Sequence, residues 1–168
     1  MSPAQDPGEL LPVVDDQDRQ VGLAPRAQVH GQGLLHRAVH ILLFDSQGNL
    51  WLQRRSQAKD TYPGMWTSSA SGHLDPGEDY YAAACRELRE ELGLSLELTY
   101  LGKVPAGPAT QGEFSGVFRA QSGQKPKPDP EEIAEMGLFS LDEAKALAAD
   151  HTRSAPSLEA VMSQAGLI

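Results

Sequence analysis

An α/β or α+β sandwich, with helices packed around a mixed β-sheet, is the fold class the sequence predicts. Three observations predict it. β-type runs lie on both sides of one strongly periodic helical segment, turn residues separate those runs at short intervals, and two more helical patterns close the chain. No internal repeat or linker divides the sequence, so a flexible leader over residues 1–9 and a single domain over residues 10–168 are expected.

Leu10–Val14 and Arg19–Leu23 read as short strands around the acidic turn Asp15–Asp18. Ala38–Phe44 is a strongly apolar β run, and a Ser46–Asn49 turn returns Leu50–Arg54 as its hairpin partner. Pro63 and Gly64 make Thr61–Trp66 a loop, and Thr67–Ser71 reads as a short strand of small residues. Between Asp79 and Leu92 the period changes. Tyr81, Ala84, Cys85, Leu88 and Leu92 form one helical stripe, which Gly93 terminates. Leu96–Val104, Gly112–Ala120 and Ile133–Phe139 read as strands, the last broken at Gly137. Ser140 with Glu143 forms a capping box that opens a helix to about Ala149, and a final helix spans roughly Ala155–Gln164.

The 168 residues are enough for one buried core, and the longest apolar stretch, around Ile41–Phe44, is far short of a membrane span. No basic region followed by an apolar run opens the chain, so no signal peptide is expected. The lone Cys85 cannot form an internal disulfide, which fits a reducing compartment; cytoplasmic placement is the expectation. A net charge of −9 argues against a nucleic-acid polymer as partner. It also means that a phosphate-bearing substrate needs local cations in the site. The sequence does not choose between a monomer and a homodimer.

The chemistry concentrates in GHLDPGEDYYAAACRELREELGL, residues 72–94. Glu87, Glu90 and Glu91 stand at i, i+3 and i+4, on a helical face next to the apolar stripe. Like charges at this spacing cost roughly 0.2–0.5 kcal/mol per pair, and more where water is excluded. A hard divalent cation reverses the sign, taking carboxylate and carbonyl oxygens and completing its shell with water and substrate phosphate. A solvated acidic face is the ordinary explanation of such a trio. The surrounding pattern displaces it: Gly72, Glu78, Arg86, Glu87, Glu90, Glu91 and Gly93, with aliphatic Leu88 and Leu94, match the Nudix box. Seven identities at roughly 5–7% usage each recur by chance on the order of once in 10⁸ frames.

On those residues the chain resembles the Nudix hydrolase family. The resemblance implies an α/β/α sandwich and a magnesium ion, with manganese as the alternative. Glu87, Glu90 and Glu91 would hold the ion, with the main-chain carbonyl of Ser71 or Gly72 nearby. Glu90, Glu91, Arg86 and Glu113 would form the catalytic group, Arg86 by orienting glutamates such as Glu78. The implied reaction is cleavage of a diphosphate linkage in a nucleoside di- or triphosphate, or in a nucleoside diphosphate joined to another group. Water attacks phosphorus, activated by a cation that lowers its pKa.

A narrower resemblance is to the isopentenyl-diphosphate isomerase branch, carried by GLLHRAVHILLFDSQGNLWLQRRSQAKDTYPGMWTSSASGHLDPGE. It implies that Arg55 and Lys59 contact the substrate diphosphate, and that His30, His36, His73 and Glu113 lie near that enzyme's metal ligands. Ser71 stands where the isomerase has a catalytic cysteine, and a hydroxyl is a far poorer proton donor or acceptor than a thiol at neutral pH. Gln111 falls where it has a second glutamate. An intact box without that cysteine favours hydrolysis over isomerisation; a non-catalytic nucleotide-binding module is the third reading. Trp51, Tyr62, Trp66 and Cys85 read as packing residues, and His40 as a core or surface residue. Glu113, Glu131 and Glu132 are the general-base candidates.

Overall fold

The computed structural model describes residues 6–168. Residues 1–5 of the expected leader lie outside the described residues. The rest of it is pinned: the carbonyls of Pro7 and Glu9 accept from the amides of Ala27 (3.1 Å) and Arg26 (2.7 Å). β1 (Leu10–Val14) and β2 (Gln20–Pro25) form an antiparallel two-stranded sheet, followed by α1 (Arg26–Gln32), a short helix that the hydrophobic pattern does not announce. It buries only Val29, and no side chain caps its start. Leu11, Ala24 and Val29 form a small core of their own. Asp18 fastens this unit to the rest: its carboxylate accepts from Arg37 Nε and Lys103 Nζ at 2.6 Å and from the Tyr80 hydroxyl at 2.8 Å.

The main sheet is built on β3 (His36–Phe44), parallel to β8 (Glu113–Gln121) along its whole length. β7 (Thr99–Val104) pairs with β8, and β9 (Ile133–Phe139) with β4 (Leu50–Arg55). β7 begins at Thr99 rather than at Leu96, and β9 runs through Gly137 without a break. That glycine is there for packing: a Cβ would come within 2.7 Å of the Phe139 ring and 3.1 Å of Trp66. Gly137→Ala is expected to cost about 1–3 kcal/mol by overpacking, measurable as a lower midpoint in urea unfolding.

β3 and β4 start as a hairpin, paired only at Leu43 and Phe44, and then splay apart. Residues 66–73 fill the wedge. The small-residue strand expected at Thr67–Ser71 is in fact two strands: β5 (Trp66–Thr67) pairs with β4 and β6 (Ala70–His73) pairs with β3. Between them Ser68 and Ser69 are fully buried. The Ser69 hydroxyl accepts from Leu43 N at 2.8 Å and donates to the Trp51 carbonyl, stitching both walls of the wedge. Small hydroxyl residues are needed here because larger side chains would not fit between two diverging strands.

α2 (Tyr80–Leu92) covers one face, burying Ala83, Ala84, Leu88 and Leu92 against Val39, Ile41, Leu43 and Phe118. Asp79 caps its start by accepting from Ala82 N, and Gly93 closes its end at φ 67°, where a side chain would be strained. α3 (Leu141–Ala149), opened by the Ser140–Glu143 capping box, and α4 (Pro156–Gln164) cover the other face over Leu42, Phe44, Leu52 and Val117. The result is an α/β/α sandwich with a mixed sheet. Trp51, Trp66 and Cys85 pack against the two cores, Trp66 edge-on to Phe139. No helix among the described residues is long and apolar enough to cross a membrane.

Candidate functional site

The wedge opens onto a cavity of about 660 Å³, lined by nine carboxylate and four Arg or Lys side chains. On its α2 wall, Glu91 is 5% exposed. It reaches the wedge by accepting from Gln53 Nε2 (2.9 Å) and Ser71 N (3.2 Å). Burial and the charge of Glu132 raise its pKa to about 7. Glu87 is 12% exposed, and burial together with the charge on Glu91 raises it well above the carboxylate range. Glu90 is the outer member, 45% exposed. Gly72 makes this approach possible: a Cβ there would overlap the Glu87 carboxyl group.

Arg86 organises the wall. It donates to Glu78 twice (2.8 and 2.9 Å), to Glu87 (2.7 Å), to Glu90 (3.2 Å) and to the His73 carbonyl (2.9 Å). A lysine has neither the donors nor the planar fork to do the same. One guanidinium nevertheless faces four acidic side chains, counting Asp75 at 3.3 Å. The surplus negative charge and the all-oxygen donor set of Glu87, Glu90 and Glu91 fit a hard divalent cation.

Across the cavity, Arg55 donates to the Thr61 carbonyl (2.8 Å) and hydroxyl (3.1 Å), and Lys59 is ion-paired with Glu132. Burial lowers the pKa of Arg55, with the charges of Glu91, Asp60 and Glu113 opposing. The Ser71 side chain, Tyr62, Gln111 and Glu131 also line the space.

A second cluster lines the same cavity from the opposite face of β3 and β6. Ligand atoms of His30, His36 and His73 come within 4.8 Å of one another. His36 pairs in register with Glu113 and Ala38 with His73, so alternation places all three side chains on one face. Glu113 Oε2 accepts from His73 Nε2 at 2.8 Å and lies 3.3 Å from His36 Nε2. Burial alone would raise Glu113, but its histidine surroundings, with the His73 N–H bond among them, outweigh it and hold the carboxyl below its ordinary range. His36 donates Nδ1–H to the Leu34 carbonyl (2.9 Å), which leaves Nε2 bare, and that atom is buried without a hydrogen-bond partner. In that tautomer the 3.3 Å approach to Glu113 sets a lone pair beside a carboxylate and is not a hydrogen bond. A bare imidazole nitrogen aimed at two other histidines and a carboxylate fits a divalent ion with nitrogen affinity. His40, a core or surface residue by sequence, is buried and lines the cavity, its Nδ1 2.7 Å from the Ser68 hydroxyl. Burial lowers its pKa to about 4.

Gln53, Glu9 and Arg26 also belong to the site, although no local pattern marks them. Arg26, at the start of α1, donates to His73 Nδ1 at 3.1 Å and approaches Asp60 (3.5 Å) and Glu9 (3.7 Å).

Known proteins resemble this chain in sequence and in fold. An isopentenyl-diphosphate Delta-isomerase of Serratia proteamaculans is 44% identical over 130 residues, covering 74% of this chain and 72% of the relative. An uncharacterized Nudix hydrolase of Pseudomonas aeruginosa is 39% identical over 144 residues, covering 83% and 85%. The solved structure of a Deinococcus radiodurans protein superposes with a TM-score of 0.83 at 27% identity, covering 94% of this chain and 99% of that one. The NUDIX domain profile matches residues 34–161. The chain belongs to the Nudix family, near its isopentenyl-diphosphate isomerase-like branch.

Proposed function

We propose that this protein is a magnesium-dependent hydrolase of a diphosphate linkage in a nucleoside di- or triphosphate, or in a nucleoside diphosphate joined to another group. The observation that carries the reading is the burial of Glu87 and Glu91 side by side at the cavity wall, with Arg86 as the cation bonded to Glu87. Glu87, Glu90 and Glu91, with the main-chain carbonyl of Ser71 or Gly72, would hold the ion. When bound, magnesium offsets phosphate charge and lowers the pKa of water. Arg86 keeps the glutamates aligned through Glu78 and the His73 carbonyl. Arg55 and Lys59 face the carboxylate wall and would take the substrate phosphates, Lys59 by exchanging its bond to Glu132. Glu113, held ionised among the histidines, is better suited to a ligand shell than to accepting a proton. Glu131 and Glu132 are then the carboxylates from which a general base would come. A cavity of about 660 Å³ is of the size that takes a small molecule.

The histidine cluster and the identity to isomerases favour one second reading, double-bond migration in isopentenyl diphosphate. Ser71 opposes it by offering a hydroxyl to the cavity where that chemistry uses a thiol. A single panel decides between them. With magnesium present, nucleoside di- and triphosphates and nucleoside diphosphate conjugates are scored for phosphate, pyrophosphate or monophosphate release, and isopentenyl diphosphate for allylic product. Metal-dependent anhydride cleavage is expected. Allylic product without any cleavage overturns the reading.

A further inference from the structure

The two inner histidines hold opposite tautomers. His36 has its proton on Nδ1, bonded to a carbonyl, and presents a bare Nε2. This is the arrangement metal-binding histidines adopt, with an acceptor behind the ring. His73 is reversed. Arginine is a donor only and does not deprotonate, so the 3.1 Å contact of Arg26 with Nδ1 requires a lone pair there. The proton then sits on Nε2, where Glu113 accepts it at 2.8 Å. Both nitrogens of His73 are committed, and neither is open to a cation.

We propose that Arg26 is a lock on the histidine site: it and a metal ion compete for His73, so that ion uptake expels the guanidinium. If the ion binds Nε2, the ring's single proton must move through solvent to Nδ1, which then meets an Arg26 N–H donor to donor. If it binds Nδ1, it takes the position Arg26 holds. Either route breaks the same hydrogen bond, and the ring keeps one proton throughout. Expulsion is cheap, because Glu9 and Asp60 already stand 3.7 and 3.5 Å from the guanidinium, and its Nε is buried with no partner to lose. Arg26 thus acts through His73 as a positioning residue that sets how tightly the cluster holds an ion.

The inference rests on the histidine cluster as an ion site, not on hydrolysis, and its test needs no turnover. In the metal-free full-length protein, two-bond ¹H–¹⁵N spectra of the histidine rings should show His73 protonated at Nε2 and bare at Nδ1. Zn²⁺, which favours imidazole nitrogen over carboxylate oxygen, is then titrated against a fluorescent chelator while the His36 and His73 ring signals are followed. Arg26→Gln, whose amide oxygen can accept from Nδ1–H, should tighten Zn²⁺ about tenfold or more, the size of effect such ring partners have. Arg26→Met should tighten it less, and Arg26→Lys, which keeps a donor, should return it to the wild-type value. A role confined to holding α1 in place would not separate Met from Lys. A wild-type His73 protonated at Nδ1, an unchanged or weaker affinity in both Gln and Met variants, or no Zn²⁺ at these rings overturns the proposal. A protein that binds Zn²⁺ as expected yet cleaves no diphosphate overturns only the hydrolase reading.

Discussion

Glu91→Gln should abolish turnover and, in the absence of metal, make the protein more stable. The loss should reach about 10³-fold, the roughly 4 kcal/mol of a missing charged ligand at a site built around a cation. The gain comes from the same burial. The folded-state pKa of Glu91 is raised to about 7 from an ordinary 4.5, so the folded chain binds this proton more tightly than the unfolded chain does. Its ionisation therefore opposes folding: not at all below about pH 4.5, increasingly up to pH 7, and fully above. The full penalty is on the order of 3 kcal/mol, or very roughly 6–12 °C in melting temperature for a chain of this size. Glutamine removes it while its amide oxygen still accepts from Gln53 and Ser71 N. Thermal melts in chelator at pH 5 and pH 8 provide the check. The wild type should lose stability between them and Glu91→Gln should lose much less; a variant less stable than wild type at pH 8 would contradict this electrostatic account.

Gly72→Ala should inactivate the protein without unfolding it. The backbone at Gly72 is not in the left-handed region, so alanine fits its dihedral angles. The atoms nearest the added Cβ all belong to the flexible end of Glu87, so it pushes that carboxylate off its position beside Arg86. Displacement of a catalytic-site group by about 1 Å is enough to cost on the order of 100-fold in rate. Magnesium affinity should fall with it, while the circular dichroism melt of the metal-free protein stays within about 1 kcal/mol of wild type. Full activity in this variant would place the ion away from Glu87.

Some of this architecture was legible in the sequence because its causes are local. The 3.6-residue period of Tyr81–Leu92, the glycine at 93 and the Ser140–Glu143 box each act within a few residues, and the helices sit where those signals put them. Register alternation likewise makes His36 and Glu113 neighbours once β3 and β8 are paired. What could not be read depends on distant packing. α1 is seven mostly polar residues with no side-chain cap, held by the hairpin before it. Arg26 becomes a site residue only because that hairpin, anchored by Asp18, sets it against His73 from 47 positions away. Thr67–Ser71 has the composition of one strand, and only the splaying of β3 from β4 turns it into two. Gln53 looks like an ordinary strand residue until Ser69 and Glu91 are placed around it.

Gly72 and His73 are consecutive residues of a single four-residue strand, one turned toward the glutamates and the other toward the histidines. The two centres are thus phased by the pleat itself, one strand step of about 3.3 Å apart along the chain. Deleting or inserting one residue between Ser69 and Gly72 would swap their faces, aiming the imidazole at α2 and the glycine at the other cluster. The parity of this short segment therefore ties the centres together: neither can be re-aimed by a change of length without re-aiming its neighbour.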